Sequence, residues 1–325
     1  MSLRNIVKNI LLKLSPSYQT LKRVEEQLKQ SNELLKDIKN SDILQGGGDP
    51  IEDGGVYIRE YAYTPKHRKT LENSKIGNIL EEWYLTNKNE ITSLMQRFCS
   101  FSDSYKKIPL KSSTELSPQW INDWIPPLDA ISIYAFLAIN NPRYYIEVGS
   151  GNTTMFAAQS IQDNNLRTRI ISIDPFPRAG IDTLCNNIYR IPFENMDLDF
   201  FDILSSEDIF LLDNSHRSFP NSDVTVFFTE ILPKLPSGVL YAMHDIFLPR
   251  DYPEQWSSIE KRWYNEQYLL CAYILGGANG DRIISPNAFL GSKKELLEIY
   301  NPLWGNGELL ETMDFGGGFF WLKKA

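Results

Sequence analysis

Short apolar runs alternate with longer, mainly polar segments over the second half of the chain. The runs are rich in β-branched and aromatic residues, and they lie at 144–148, 170–173, about 187–191, 209–212 and 239–243. Strands that alternate with helical or loop segments predict a parallel, doubly wound α/β sheet with right-handed crossovers. The glycine-rich run at 316–322 predicts a last strand that closes the sheet, and Ile283-Ile284 indicates a further strand before it.

The segment at 57–140 has a mainly helical pattern with aromatic-rich patches and no internal repeat. Its last helix, near 128–140, leads directly into the first strand. Asp129 lies in the first turn of that helix, where the helix dipole favours an acid. We therefore expect a helical cap region at 57–140, followed by the sheet-containing domain at 141–325.

Two amphipathic helices are predicted within residues 1–45. Over 3–14 the apolar side chains fall on one helical face with Arg4, Lys8 and Lys13 between them. This pattern is typical of a basic helix that lies on a membrane surface. The alternative is a helix that packs on its own protein or on a partner, and Ser15-Pro16 ends it in either case.

The second of these helices, from about 18 to 44, carries an a/d heptad pattern. The heptad positions are Leu21, Val24, Leu28, Ser31, Leu35 and Ile38. Three heptads are near the minimum for a coiled coil, so the pattern favours a homo-oligomer formed through the N-terminal helices. The alternative is a single amphipathic helix that folds back on the domain. A flexible linker follows at 46–56, marked by three consecutive glycines.

Composition narrows the class of protein. The 325 residues are 42% hydrophobic and 23% charged, as in an ordinary globular protein, and a net charge of -8 disfavours nucleic acid as a partner. Cys99, Cys185 and Cys271 lie far apart, which fits a reducing compartment and gives no zinc signature. Without a long apolar run or a signal-peptide pattern, the sequence predicts a cytoplasmic protein, with contact at the inner face of the membrane as an option for residues 1–14.

A glycine turn follows the first strand. Glu147 stands at the end of the strand, Gly149 and Gly151 form the turn, and Asp174 ends the next strand. Glycines let a ligand approach the backbone, and a carboxylate at the end of the second strand can accept hydrogen bonds from a ribose diol. The third glycine of a dinucleotide fingerprint is missing, since Thr stands at 153, which disfavours a nicotinamide site.

Histidine and aspartate side chains follow the two later strands. Asp213 and His216 come after the strand at 209–212, and His244 and Asp245 come after the strand at 239–243. Because the carboxyl ends of parallel strands meet at one edge, we expect these four side chains to cluster. Asp213, His244 and Asp245 could bind a divalent cation, Mg²⁺ or Mn²⁺, that orients a substrate hydroxyl. Alternatively, His216 acts as a general base without metal, or the four groups are structural.

These motifs together resemble class I S-adenosylmethionine-dependent methyltransferases. Residues 147–154 look like the first motif of the family, Asp174 stands at the position of its ribose-binding acid, and 213–216 and 238–245 look like later motifs. A closer similarity is to an uncharacterised bacterial branch with a His-Asp-Ile-Phe-Leu-Pro segment, here 244–249, and the resemblance covers about 120–325. It implies a doubly wound, seven-stranded Rossmann-like methyltransferase sheet, here with an N-terminal helical extension.

The resemblance also implies roles for single residues. The backbone at Gly149, Gly151 and Asn152 is expected to lie near the methionine part of S-adenosylmethionine. Asp174 is expected to hold the ribose, and the Pro192-Phe193 segment to pack near adenine. Glu147 is expected to organise this loop or to contact the cofactor's ammonium group.

The same resemblance bears on catalysis. Asp213, His216 and Asp245 are the candidate catalytic residues, and Asp213, His244 and Asp245 occupy the ligand positions of metal-dependent relatives. Those relatives carry a carboxylate where this chain has His244, and a neutral imidazole weakens a site for hard Mg²⁺.

The sequence thus favours a methyltransferase that acts on a hydroxyl of a sugar or another small molecule. One alternative is a non-catalytic nucleoside-binding scaffold that recruits partners through its N-terminal helices. The other is an NAD-dependent oxidoreductase, which the missing glycine and the acid before the turn disfavour.

Overall fold

A mixed seven-stranded sheet, with strand order β3-β2-β1-β4-β5-β7-β6, forms the centre of the fold. This computed structural model describes residues 66–68, 73–177, 180–300 and 316–325, together with Lys29. The strands are β1 Tyr144–Val148, β2 Arg169–Ile173, β3 Asn187–Tyr189, β4 Ile209–Leu212, β5 Leu240–Met243, β6 Arg282–Pro286 and β7 Phe320–Lys323. The predicted strands are confirmed, but β3 ends two residues earlier than expected and the last strand, predicted at 316–322, is found at Phe320–Lys323.

The predicted parallel direction holds for β1 to β5, which pair in parallel along the sheet. The last strand, for which no direction is predicted, is β7, and it lies antiparallel between β5 and β6. An apolar run that is buried on both faces reads the same in either direction, so the sequence pattern cannot reveal the direction of a strand.

Helices cover both faces of the sheet. They are α1 Lys75–Thr86, α2 Lys88–Cys99, α3 Ser102–Tyr105, α4 Pro127–Asn140, α5 Asn152–Asp163, α6 Asp223–Val226, α7 Glu266–Leu275, α8 Asn287–Leu290 and α9 Lys294–Tyr300. The helical pattern predicted before the first strand agrees with α1 to α4. Helix α4 begins with Pro127 at its first position, where the missing N–H of proline is not needed, and it is buried from Pro127 to Leu137.

The described chain from Lys66 onward forms one compact unit. Side chains of α1, α2 and α4 belong to the same apolar core as the sheet. The predicted helices at 3–14 and 18–44, the linker at 46–56 and the start of the cap region lie outside the described residues. Among the residues that the structure describes, no helix is both long enough and apolar enough to cross a bilayer.

Glu147 ties β1 to the first turn of α5. Its carboxylate is fully buried and accepts hydrogen bonds from the hydroxyls of Tyr145 and Thr153, both at 3.1 Å, and from Thr154. Burial raises the pKa of Glu147 to about 7, although the hydroxyl donors act in the opposite direction. The acid therefore fixes the geometry of the turn between the strand and the helix.

Gly149 brings that turn against the end of β4. Its φ is +82°, and a Cβ added there would lie 1.6 Å from the carbonyl oxygen of Asp213. Any side chain at 149 would be strained and would push the β1–α5 turn away from β4.

We expect Gly149→Ala to lower the free energy of unfolding by about 3 kcal/mol or more, because backbone strain and overpacking add. Gly180→Ala is the matched control, since an added Cβ there meets no atom within 4 Å. Urea unfolding followed by tryptophan fluorescence measures both variants. A loss below about 1 kcal/mol for Gly149→Ala would contradict this account of the turn.

Candidate active site

A cleft of about 900 Å³ opens at the carboxyl ends of the parallel strands. It contains every site residue predicted from the sequence except Glu147, namely Gly149, Gly151, Asn152, Asp174, Asp213, His216, His244 and Asp245. Glu147 lies beneath the turn with no exposed surface. Of the two roles expected for it, the structure therefore supports the organisation of the loop.

Asp174 is fixed at one side of the cleft by the loop that it faces. Its Oδ2 accepts the backbone N–H of Ser150 at 2.9 Å, and its Oδ1 accepts that of Phe176 at 2.8 Å. Two carboxylate oxygens offer about four acceptor sites, so the group can still receive a ribose diol.

The remaining surface on this side is apolar or open. Pro192 and Phe193 line the cleft near Asp174, as expected for an adenine site. Phe176, which the sequence analysis missed, also lines the cleft and is 87% exposed. A Cβ added to Gly151 would meet no atom within 4 Å, so the cleft is open at this backbone. These residues fit a nucleoside with an attached amino-acid chain.

The four predicted histidine and aspartate residues cluster on the other side of the cleft. Oδ1 of Asp213 lies 3.2 Å from Nδ1 of His244 and 3.5 Å from Nε2 of His216. Oδ2 of Asp245 lies 3.4 Å from the same His216 nitrogen. The expectation that the ends of β4 and β5 bring these groups together is thus met.

Two further acids, which sequence reasoning did not place in the site, contact the histidines from outside. Asp129 of α4 has its Oδ2 3.2 Å from Nε2 of His244. Glu266, the first residue of α7, has its Oε1 in contact with Nδ1 of His216. Both acids have no exposed surface. They lie 115 and 50 residues from their partners, and no local pattern signals such a distant contact.

The backbone is strained where the cluster meets the cleft. His216 has a φ of +58° and Asp245 has a φ of +57°. Residues other than glycine rarely adopt this left-handed region of positive φ, which costs on the order of 1–3 kcal/mol for each residue. Such strain persists only where the surrounding contacts hold it, and it is frequent at active sites.

The acids around both histidines favour the protonated imidazoles. Burial alone would lower the pKa of His216, but the Glu266 carboxylate, together with Asp245 and Asp213, raises that pKa to about 9. Burial likewise opposes protonation of His244, but the carboxylates of Asp213, Asp245 and Asp129 raise the pKa of His244 above its usual value. Burial raises the pKa of Glu266 to about 7, against the effect of His216. At neutral pH the His216 ring is therefore mainly protonated, and the surrounding carboxylates favour the protonated form of His244 as well.

This arrangement does not fit the predicted metal site. Within the described ranges, no group of three or more His, Cys, Asp or Glu side chains has a geometry that could hold a metal ion. Each ring nitrogen of His216 and His244 already faces a carboxylate oxygen. The nitrogens and the carboxylate oxygens therefore already pair with one another within the cluster.

Aromatic side chains and an arginine form the wall of the cleft next to the cluster. The Tyr264 ring lies 4.4 Å from the His216 ring, and the Arg262 guanidinium lies 4.0 Å from the Trp256 ring centroid. All three residues line the cleft, as does Trp124. Space for a second ligand is thus bounded by groups that can stack on a flat or cyclic molecule.

Part of the chain matches a known protein family. Residues 146–246 match a family model described as a methyltransferase domain. None of the curated proteins matches the chain.

Similarity to solved structures is distant. One is an O-methyltransferase from Bacillus cereus in complex with SAH, at 11% identity and a TM-score of 0.35, over 71% of this chain and 89% of that one. Another is the branched-chain polyamine synthase from Thermus thermophilus in complex with N4-aminopropylspermidine and 5'-methylthioadenosine. It has 12% identity and a TM-score of 0.35, over 70% of this chain and 63% of that one.

The matched segment spans β1 to the end of β5, the part of the sheet that supplies the glycine turn, Asp174 and the histidine–aspartate cluster. The seven strands are also the number that the sequence resemblance implied. Over this segment the chain is therefore similar to methyltransferase domains, in agreement with the resemblance of its motifs to class I S-adenosylmethionine-dependent methyltransferases.

Proposed function

We propose that this methyltransferase acts on a hydroxyl group of a sugar or another small molecule. The observation that carries the proposal is the position of His216, Asp213 and Asp245. They lie in the same cleft as the glycine turn and Asp174. A hydroxyl must lose its proton when it is methylated, and this cluster supplies proton acceptors beside the cofactor site.

The cofactor half of the cleft would hold S-adenosylmethionine along its length. Asp174 would bind the ribose, Pro192 and Phe193 would border the adenine, and the backbone from Gly149 to Asn152 would border the methionine part. When bound, the sulfonium group supplies an activated methyl. The carboxylates of Asp213 and Asp245 give a favourable field for its positive charge.

Within the cluster, His216 is the candidate general base. Its Nε2 lies between the Asp213 and Asp245 carboxylates, which border the cleft, so an acceptor hydroxyl placed there has a path for its proton. A cation bound in the neighbouring half of the cleft lowers the pKa of His216, because it disfavours a second positive charge. The ring would then release its own proton more readily and accept that of the hydroxyl.

Tyr264, Trp256 and Trp124 support a cyclic acceptor, since aromatic faces can stack on a sugar or an aromatic ring. The family match favours a methyltransferase over both the scaffold and the nicotinamide-dependent oxidoreductase.

Three further expectations from the sequence stay predictions. They are self-association through 18–44, membrane contact through 3–14, and the division into a cap region and a sheet domain. The cytoplasmic location stays a prediction too.

We expect S-adenosylhomocysteine to bind with micromolar affinity and Asp174→Ala to weaken this binding at least about tenfold, because the variant loses the ribose acceptor and loosens the Ser150 loop. Asp202→Ala, an exposed acid outside the cleft, is the control. Isothermal titration calorimetry measures both. Equal affinity of Asp174→Ala and wild type would contradict the placement of the ribose, and no binding to wild type would contradict the function.

For an acceptor found by screening sugars and catechols, we expect His216→Asn to lower kcat by about 10²–10⁴-fold, because the general base is lost. In the wild type, kcat/KM should rise with pH and level off above about 9, as His216 loses its proton. The variant should lack this rise but bind S-adenosylhomocysteine normally, and Mg²⁺ or EDTA should not change either rate.

His67→Asn is the matched control for this prediction. His67 lies outside the cleft lining and faces the carbonyl of Tyr252 at 2.9 Å. Full activity of His216→Asn would rule out His216 as the base, and a requirement for Mg²⁺ would overturn the metal-free site.

A further inference from the structure

Glu266 is a buried acid whose burial the fold does not explain. It has no exposed surface, and its Oε1 contacts Nδ1 of His216. Among the described residues, no group donates a hydrogen bond to its Oε2. Burying an acid is costly unless partners compensate, so an acid with a single partner is retained for what it does to that partner.

Asp281 shows what a structural acid looks like in the same protein. One oxygen accepts the hydroxyls of Tyr241 and Tyr273 at 2.7 and 2.8 Å. The other accepts Lys324 Nζ and the N–H of Ala325, both at 2.9 Å. Both oxygens of Asp281 are thus used to tie β5, α7 and the C-terminal segment together, whereas the only partner of Glu266 among the described residues is the imidazole.

Asp129 repeats the arrangement at the other histidine, and it has a structural task in addition. Its carboxylate accepts the N–H groups of Gly318 at 2.6 Å and Phe319 at 3.0 Å, as well as the amide of Asn287 at 2.8 Å. These donors fix the carboxylate, and its Oδ2 also faces Nε2 of His244. The close approach requires a glycine at 317, where an added Cβ would lie 2.8 Å from the same carboxylate.

The contacts join into one alternating chain of acids and imidazoles, which runs Asp129, His244, Asp213, His216, Glu266. The two terminal acids of this row, Asp129 and Glu266, are fully buried. Only the central acid, Asp213, borders the cleft with an appreciably exposed side chain, 25%. Each imidazole is therefore held by a hidden acid on one side and by the cleft acid on the other.

We propose that Glu266 and Asp129 are positioning residues of the active site, which fix the ring orientation of His216 and His244 so that both rings point at Asp213. The catalytic meaning of this role rests on the proposed function, but the contacts themselves do not. Without the outer acid, an imidazole can rotate about its Cβ–Cγ bond, and the proton can move to the wrong nitrogen.

Glu266→Gln keeps the size of the side chain and removes its charge. The amide no longer favours the protonated ring, so the titration midpoint of His216 should fall by about 1 to 3 pH units. His244, which contacts Asp129 and not Glu266, should stay unchanged. Asp129→Asn should change His244 in the same direction and leave His216 as it is.

The chain has only three histidines, His67, His216 and His244, so NMR of protein labelled with ring-¹⁵N histidine can resolve each ring. The full-length protein is compared as wild type, Glu266→Gln and Asp129→Asn, with Asp281→Asn as the matched loss of a buried acid. A merely structural acid lowers stability without moving a single histidine signal. We expect Asp281→Asn to behave in this way.

Unchanged His216 signals and titration in a folded Glu266→Gln variant would overturn the proposal. Asp129→Asn can fail to fold because of its backbone contacts, and Glu266→Gln then decides alone. Calorimetry with S-adenosylhomocysteine on the same samples separates the two ideas. If the wild type does not bind S-adenosylhomocysteine but Glu266→Gln still lowers the titration midpoint of His216, the proposed function is contradicted and the positioning role is not.

Discussion

The contact between Gly149 and the carbonyl of Asp213 is the constraint on which the rest of the site depends. It holds the turn after β1 against the end of β4, so the glycine turn and Asp213 occupy adjacent space. Parallel strands give both elements the same edge, and the glycine sets the distance between them. Methyl transfer needs a donor and an acceptor in line, and under the proposed function a fixed turn would help to hold the two in that alignment.

Charge is the second determinant of the site. Four acids surround two imidazoles, so the cluster is negative even with both rings protonated. Under the proposed function, a negative site would attract the cationic sulfonium of the cofactor. The two histidines also keep the acids apart, which allows several carboxylates to stay ionised in a buried region.

Sequence reasoning reached the parts of the structure that local pattern encodes. Strand positions follow from apolar runs, and Asp174, Asp213 and Asp245 follow from the rule that ligands bind where parallel strands end. The contacts of Asp129 and Glu266 with the histidines could not be predicted, because they depend on how α4 and α7 pack against the sheet. Nor does the sequence pattern reveal the direction of β7, which depends on where the chain re-enters the sheet, or the contact between Asp129 and His244.

The central claim is that the cofactor and the histidine–aspartate cluster share one cleft with room for a hydroxyl between them. A crystal structure of the complex with S-adenosylhomocysteine tests it most directly. The account predicts the ribose on Asp174 and the sulfur facing His216 Nε2 across a gap of about 6–8 Å, wide enough for one methyl group and one hydroxyl oxygen. A sulfur atom that points away from His216 and Asp213, or a nucleoside bound elsewhere on the protein, would contradict it.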